Sequence, residues 1–292
     1  MNTVTQAHTW LDTDLYPFES QFIQLSTGKM HYIDEGEGEP ILFVHGTPTW
    51  SFLYRDYITA FSKKYRCIGI DHIGFGLSEK PTDFDGRPES HSMNLTELIR
   101  ELDLKNITLV VHDFGGPIGL GAGIRDAHRI KRIVLFNSWL WKTKDDPNAE
   151  IVNRLIHSSF GKFLYLRMNI SPKLLIKKGI HDKAKLSKKA HFHYIRPFPT
   201  KGSRWSLLKI GKSLLGSSDW YEQQWRELGQ LEEKPWLILW GTEDRFITKQ
   251  HLEKWKQRLP HAQIECYECG HFIQEERSTE TILEMESFMK EV

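Results

Sequence analysis

Three places in this chain set a reactive side chain immediately after an apolar, β-branched run. The first is Ile107-Thr-Leu-Val-Val-His-Asp113-Phe-Gly-Gly-Pro117. The run passes into His112-Asp113, then two glycines and a proline, then a helical pattern from Ile118. Gly115 and Gly116 permit a tight, crowded strand-to-helix turn, and such an elbow lifts its central side chain clear of the sheet. Here that side chain is the Asp113 carboxylate. Already ionised at neutral pH, it can attack carbon without a base to remove a proton. An aspartate that only caps the following helix would have no use for the glycine pair.

The second place is Ile41-Leu-Phe-Val-His45-Gly-Thr-Pro-Thr-Trp50. The turn after the run offers the backbone N–H of Thr47, which with that of Phe114 would form an oxyanion hole. The third comprises two further run ends, Leu237-Ile-Leu-Trp-Gly-Thr-Glu-Asp244 and Cys266-Tyr-Glu-Cys-Gly-His271. A carboxylate bonded to one ring nitrogen holds a histidine in the tautomer that serves as a general base. The order Asp113, Asp244, His271 is thus nucleophile, acid, base. Glu243 competes for the acid role, and Asp244 is favoured because it closes Gly-x-x-Asp.

Positioning these groups falls to eight short apolar runs: 21–25, 30–35, 41–45, 66–71, 107–112, 132–137, 236–240 and 262–268. The later ones are continuously apolar, so they predict a mostly parallel sheet covered on both faces. The first two, separated by Ser26-Thr27-Gly28, predict an antiparallel hairpin. Strand and helix patterns alternate up to Asn137 and again after Lys234. The stretch between holds no strand pattern and breaks at Ser171-Pro172 and Arg196-Pro197-Phe198-Pro199. Residues 1–137 and 231–292 are therefore expected to form the core, and 138–230 a helical cap inserted after the sixth strand.

Composition narrows the function classes. The 292 residues carry 39 Lys+Arg against 38 Asp+Glu, so no overall attraction to nucleic acid is expected. Charge is nevertheless uneven: residues 141–212 hold 17 Lys+Arg and 4 Asp+Glu. The pairs Lys177-Lys178 and Lys188-Lys189 read as a solvated cap surface. No apolar run nears the ~18 residues of a spanning helix, the start lacks a signal-peptide pattern, and three cysteines are too few for a secreted framework. A cytoplasmic protein with neither nucleic-acid nor membrane partner is expected. Cys266-x-x-Cys269 has too few companions for a zinc site, so no metal is expected.

Four stretches together resemble the haloalkane dehalogenases of the α/β-hydrolase fold, which lie close to the epoxide hydrolases. They are His45-Gly-Thr-Pro-Thr-Trp-Ser-Phe-Leu-Tyr-Arg55, Asp71-His-Ile-Gly-Phe-Gly-Leu-Ser-Glu-Lys-Pro81, Val110-Val-His-Asp-Phe-Gly-Gly116 and Gly270-His-Phe-Ile-Gln-Glu275. The cap matches in position only. The resemblance implies attack by Asp113 on an sp³ carbon, an alkyl ester on the enzyme, and water activated by His271 to hydrolyse it, without a cofactor. It also implies N–H donors for the leaving halide. The family's tryptophan after the nucleophile is Phe114 here, and its usual asparagine is Thr47. Trp50, Asn137, Trp139 and Trp141 are the candidate replacements. An epoxide hydrolase would need cap tyrosines, for which Tyr165, Tyr194 and Tyr221 are available. Opening of a β-lactone, which needs no halide donors, is a further alternative. Retention of Asp113, Asp244 and His271 disfavours a purely binding protein.

Overall fold

Alternating side chains show how these strands bury both faces. In the computed structural model, which describes residues 9–292, Leu42, Leu109, Ile133 and Ile238 join one apolar cluster. Their neighbours Ile41, Phe43, Val110, Val134 and Leu237 join another. A strand buried on both faces needs apolar residues at consecutive positions, and these strands have them.

The strands are β1 (Gln21–Leu25), β2 (Gly28–Glu35), β3 (Pro40–Val44), β4 (Arg66–Ile70), β5 (Ile107–Val111), β6 (Ile130–Phe136), β7 (Trp236–Gly241) and β8 (Gln263–Tyr267). The helices are α1 (Arg55–Phe61), α2 (Pro88–Glu101), α3 (Gly115–Arg125), α4 (Pro147–His157), α5 (Ser159–Leu166), α6 (Ile176–Gly179), α7 (Lys188–Ile195), α8 (Trp205–Gly216), α9 (Ser218–Glu227), α10 (Gly229–Glu232), α11 (Lys249–Arg258), α12 (Ile273–Glu276) and α13 (Ser278–Glu291). All eight expected strands form, with ends shifted by one or two residues. Gly28 pairs with Leu25 inside the ladder, so only Ser26-Thr27 remains as the turn.

The sheet order is β1-β2-β4-β3-β5-β6-β7-β8. β2 runs antiparallel to both β1 and β4, and every pairing from β4 to β8 is parallel. The carboxyl ends of β3, β5, β6, β7 and β8 therefore share one edge, where loops carrying the reactive residues meet. Between β6 and β7 the chain is helical, α4 to α10. The expected break at Ser171-Pro172 is a π-helical turn, Ser171–Leu175, leading into α6. The second break separates α7 from α8.

Candidate active site

The bend after β5 is forced into an unfavourable conformation. Asp113 has φ +52°, a left-handed backbone costing about 1–2 kcal/mol for a residue with a Cβ. Neighbouring bonds hold it there. Asp113 N donates to Asn137 O at 3.0 Å, and Ser138 Oγ donates to Asp113 O at 2.7 Å. A Cβ on Gly115 would run into the Val44 carbonyl oxygen, so β3 and the start of α3 can approach this closely only with glycine there.

One Asp113 oxygen, Oδ1, accepts from Thr47 N at 2.7 Å. The other, Oδ2, lies 3.5 Å from His271 Nε2. His271 Nδ1 lies 2.7 Å from Asp244 Oδ2, while Asp244 Oδ1 accepts from Phe246 N at 2.7 Å and Ile247 N at 3.1 Å. The three expected side chains thus meet in the order carboxylate, imidazole, carboxylate. Phe114 N, the second expected oxyanion donor, has no hydrogen-bond partner among the described residues.

Burial and charge oppose each other at His271. Desolvation alone would lower its pKa, but the Asp244 carboxylate, helped by Asp113, raises it to about 10. Burial would raise the Asp244 carboxyl; the His271 charge and hydrogen bonds outweigh it and lower the pKa. Nearby His112 is pushed down to about 3 by burial and by the His271 charge, so it stays neutral and donates from Nε2 to His271 O at 2.9 Å. His45 is likewise lowered by burial. Its Nδ1–H donates to Gly46 O at 2.7 Å and its Nε2 accepts from His72 N at 3.0 Å, fixing the loop that presents Thr47.

A cavity of about 240 Å³ opens over Asp113 and His271. Loops at the sheet edge supply Thr47, Phe114, Trp139 and Phe246, and the helical stretch between β6 and β7 supplies Val152, Ile156, Tyr165, Leu175 and Leu214. Of the four expected leaving-group donors, the structure brings Trp139 to this cavity. Its indole packs edge-on against Phe114, ring centroids 4.9 Å apart, and its buried Nε1 has no hydrogen-bond partner. The Thr47 hydroxyl, also buried at the cavity, is unpartnered too.

The other three sit elsewhere. Trp50 Nε1 donates to His193 O at 3.0 Å, and its ring stacks on Phe52 away from the cavity. Trp141 packs against Trp225 and Trp255 and lines a neighbouring polar groove. Asn137 is engaged behind the triad. Its Nδ2 donates to Asp244 Oδ2 at 2.8 Å, and its Oδ1 accepts from Gly241 N at 2.8 Å. Of the three cap tyrosines, Tyr165 lines the cavity, its pKa raised to about 12 by burial and by the Asp113 charge. Tyr194 donates to Glu275, and Tyr221 to Ser213 O at 2.9 Å.

Sequence reasoning missed Glu276. Its buried carboxylate accepts from Gly270 N at 2.8 Å, His181 N at 2.9 Å and Asp182 N at 2.7 Å. It thereby pins the cap segment after α6 onto the loop bearing His271, whose own N–H donates to Gly179 O at 2.6 Å. Two adjacent glutamates closing a short helix carried no signal that one of them faces inward.

The chain is also similar to known proteins. Residues 39–278 match the model of a family described as alpha/beta hydrolase fold. The chain is 36% identical to a cis-3-alkyl-4-alkyloxetan-2-one decarboxylase of Shewanella oneidensis, covering 96% of this chain and 91% of that protein. It is 34% identical to haloalkane dehalogenase 2 of Mycobacterium bovis, covering 91% and 93%. In fold it is similar to the haloalkane dehalogenase DatA of Agrobacterium tumefaciens C58, with a TM-score of 0.84, 24% identity and coverage of 94% and 96%.

Proposed function

Since the chain belongs to the α/β-hydrolase family, and is haloalkane dehalogenase-like within it, we propose that Asp113 is the nucleophile of a two-step displacement at an sp³ carbon. Oδ2 attacks, the carbon–halogen bond breaks, and the halide leaves with the bonding electrons. Oδ1 stays on the Thr47 N–H and becomes the ester carbonyl oxygen. His271 then takes a proton from water, whose oxygen attacks the ester carbon. The resulting oxyanion is held by the N–H groups of Thr47 and Phe114, and its collapse frees the alcohol and restores the carboxylate.

The observation that carries this reading is the division of labour at Asp113: one oxygen is bound to a backbone donor, and the other faces the His271 imidazole at 3.5 Å. Esterification also prepares the base. Once Asp113 is a neutral ester, one of the two charges holding a proton on His271 is gone; the imidazolium gives that proton up to solvent, the H+ that accompanies the halide, and the neutral ring can then take one from water. Trp139, which lines the cavity and whose buried Nε1 has no partner, is the side chain assigned to receive the departing anion.

One feature of the site favours a second reading. The Phe114 ring offers no N–H, so of the expected side-chain donors only Trp139 lines the cavity. A β-lactone's leaving carboxylate remains tethered and needs less capture. Asp113 would attack the ring carbon bonded to oxygen, opening the ring to an alkyl ester with a neighbouring carboxylate. Cleavage of the bond to that carboxylate would release carbon dioxide, form a carbon–carbon double bond and return the Asp113 carboxylate without water. The similarity to an oxetanone decarboxylase supports it.

A panel of bromoalkanes, epoxides and dialkyl β-lactones separates the readings. Bromide release that vanishes in Asp113→Ala supports the first, alkene and carbon dioxide the second. Turnover that survives Asp113→Ala refutes both.

A further inference from the structure

Half of the strongly exposed large apolar side chains lie in one short part of the cap. Of twelve such residues among those described, six fall between positions 151 and 168: Ile151, Val152, Leu155, Phe160, Phe163 and Met168. Single exposed apolar residues are ordinary, whereas a concentration of them marks a surface that meets something. Ile151 and Leu155 are one helical turn apart on α4, 58% and 49% exposed, while Ala149 and Ile156 of the same helix line the catalytic cavity. A helix apolar on opposite sides is expected only where both sides are covered.

Cations accompany this face. Exposed Lys162 precedes Phe163, exposed Arg167 precedes Met168, and exposed Lys173 precedes exposed Leu174. Residues 147–189 hold ten Lys+Arg and two Asp+Glu, in a chain whose totals are 39 and 38. Arg167, Lys173, Lys177 and Lys178 have no carboxylate partner among the described residues.

We propose that this cap face, α4 and α5 with the π-helical turn and α6 after them, docks on an anionic lipid surface. Exposed apolar side chains interleaved in sequence with exposed lysine and arginine match both halves of such a surface, its acyl boundary and its negative headgroups. A second copy of the chain would bring the same positive charge against this one across a two-fold axis, so it matches the charge poorly. Val152 is 44% exposed and also lines the cavity, which puts the cavity wall at the docking face. Resting on the function proposed above, the substrate class is then a lipid-soluble alkyl compound that enters from the bilayer. This revises the expectation of a merely solvated cap. The cations were legible in the sequence, but the apolar faces outside the core were not.

The test is sedimentation of the full chain with phosphatidylglycerol vesicles and, in parallel, with phosphatidylcholine vesicles. Binding to the first that weakens with salt supports the proposal. Phe160→Ser/Phe163→Ser should reduce it at least about tenfold, the loss of two partly buried rings, while turnover of a short, water-soluble substrate stays near wild type. Should that variant fail to fold, Lys177→Gln/Lys178→Gln reads the charged half alone, with binding at least about fivefold weaker. No sedimentation with phosphatidylglycerol overturns the proposal, as does binding indifferent to both variants. So does a dimer, seen by analytical ultracentrifugation, that the phenylalanine substitutions dissolve. Vesicle binding needs no turnover, so its failure is distinct from a failure of the catalytic reading.

Discussion

Replacing Trp139 by Phe removes one N–H from a residue that lines the cavity and leaves most of the ring. In the free protein that N–H is buried and unpaired, so its loss breaks no hydrogen bond of the fold. An unsatisfied buried donor costs about 1–3 kcal/mol. The indole packs against Phe114 and Tyr221, and the looser fit of a smaller ring there costs a similar amount. Stability should therefore change by no more than about 1 kcal/mol. Activity should not be spared. A hydrogen bond to a charged group contributes about 1.5–3 kcal/mol, and here the charge develops only as the halide departs. The loss should appear as roughly a 10- to 150-fold fall in kcat. The assay is bromide release against substrate concentration, with Trp141→Phe, outside the cavity, as the control. Wild-type kcat in Trp139→Phe, or an equal loss in the control, would refute the assignment of Trp139 to the leaving group.

Glu276→Gln trades an oxygen that accepts backbone N–H groups for an amide nitrogen that cannot. It should cost about 1–3 kcal/mol in denaturant unfolding and lower kcat, because the loop it pins carries His271. Gly115→Ala drives a methyl group into the rigid Val44 carbonyl. A loss of about 1–3 kcal/mol is expected, together with reduced turnover as the Asp113 bend shifts; unchanged stability would contradict the packing. The pH dependence follows from His271. Its pKa is raised from an ordinary 6.5 to about 10, so its contribution to stability is complete below 6.5 and is lost as pH climbs toward 10. Urea unfolding of wild type should weaken across that interval, and His271→Gln should remove this component of the slope.

Continuous apolar runs with β-branched residues made the central strands β3, β5, β6 and β7 legible, because a strand buried on both faces has little freedom to place polar residues. The candidate triad was legible for a related reason: each member stands a few residues past a strand end, and parallel strands deliver such positions to one edge. The exchange of β3 and β4 in the sheet order was not, since strand partners are chosen by crossover connections whose pattern is alike either way. Asn137, Trp50 and Trp141 show a second limit. Each follows a strand as Trp139 does, yet Asn137 turns toward Gly241 and Asp244 and the two tryptophans pack elsewhere. Side-chain direction in a loop follows from backbone angles that spacing does not reveal. Glu276 was hidden for the same reason, its three partners coming from two separate segments.

Intact-protein mass spectrometry of His271→Gln after incubation with a bromoalkane tests the covalent scheme most directly. A stable mass increase equal to the alkyl group is expected, carried by the peptide containing Asp113 and absent from Asp113→Ala/His271→Gln. Bromide release without any adduct, or an adduct on another residue, would contradict the scheme.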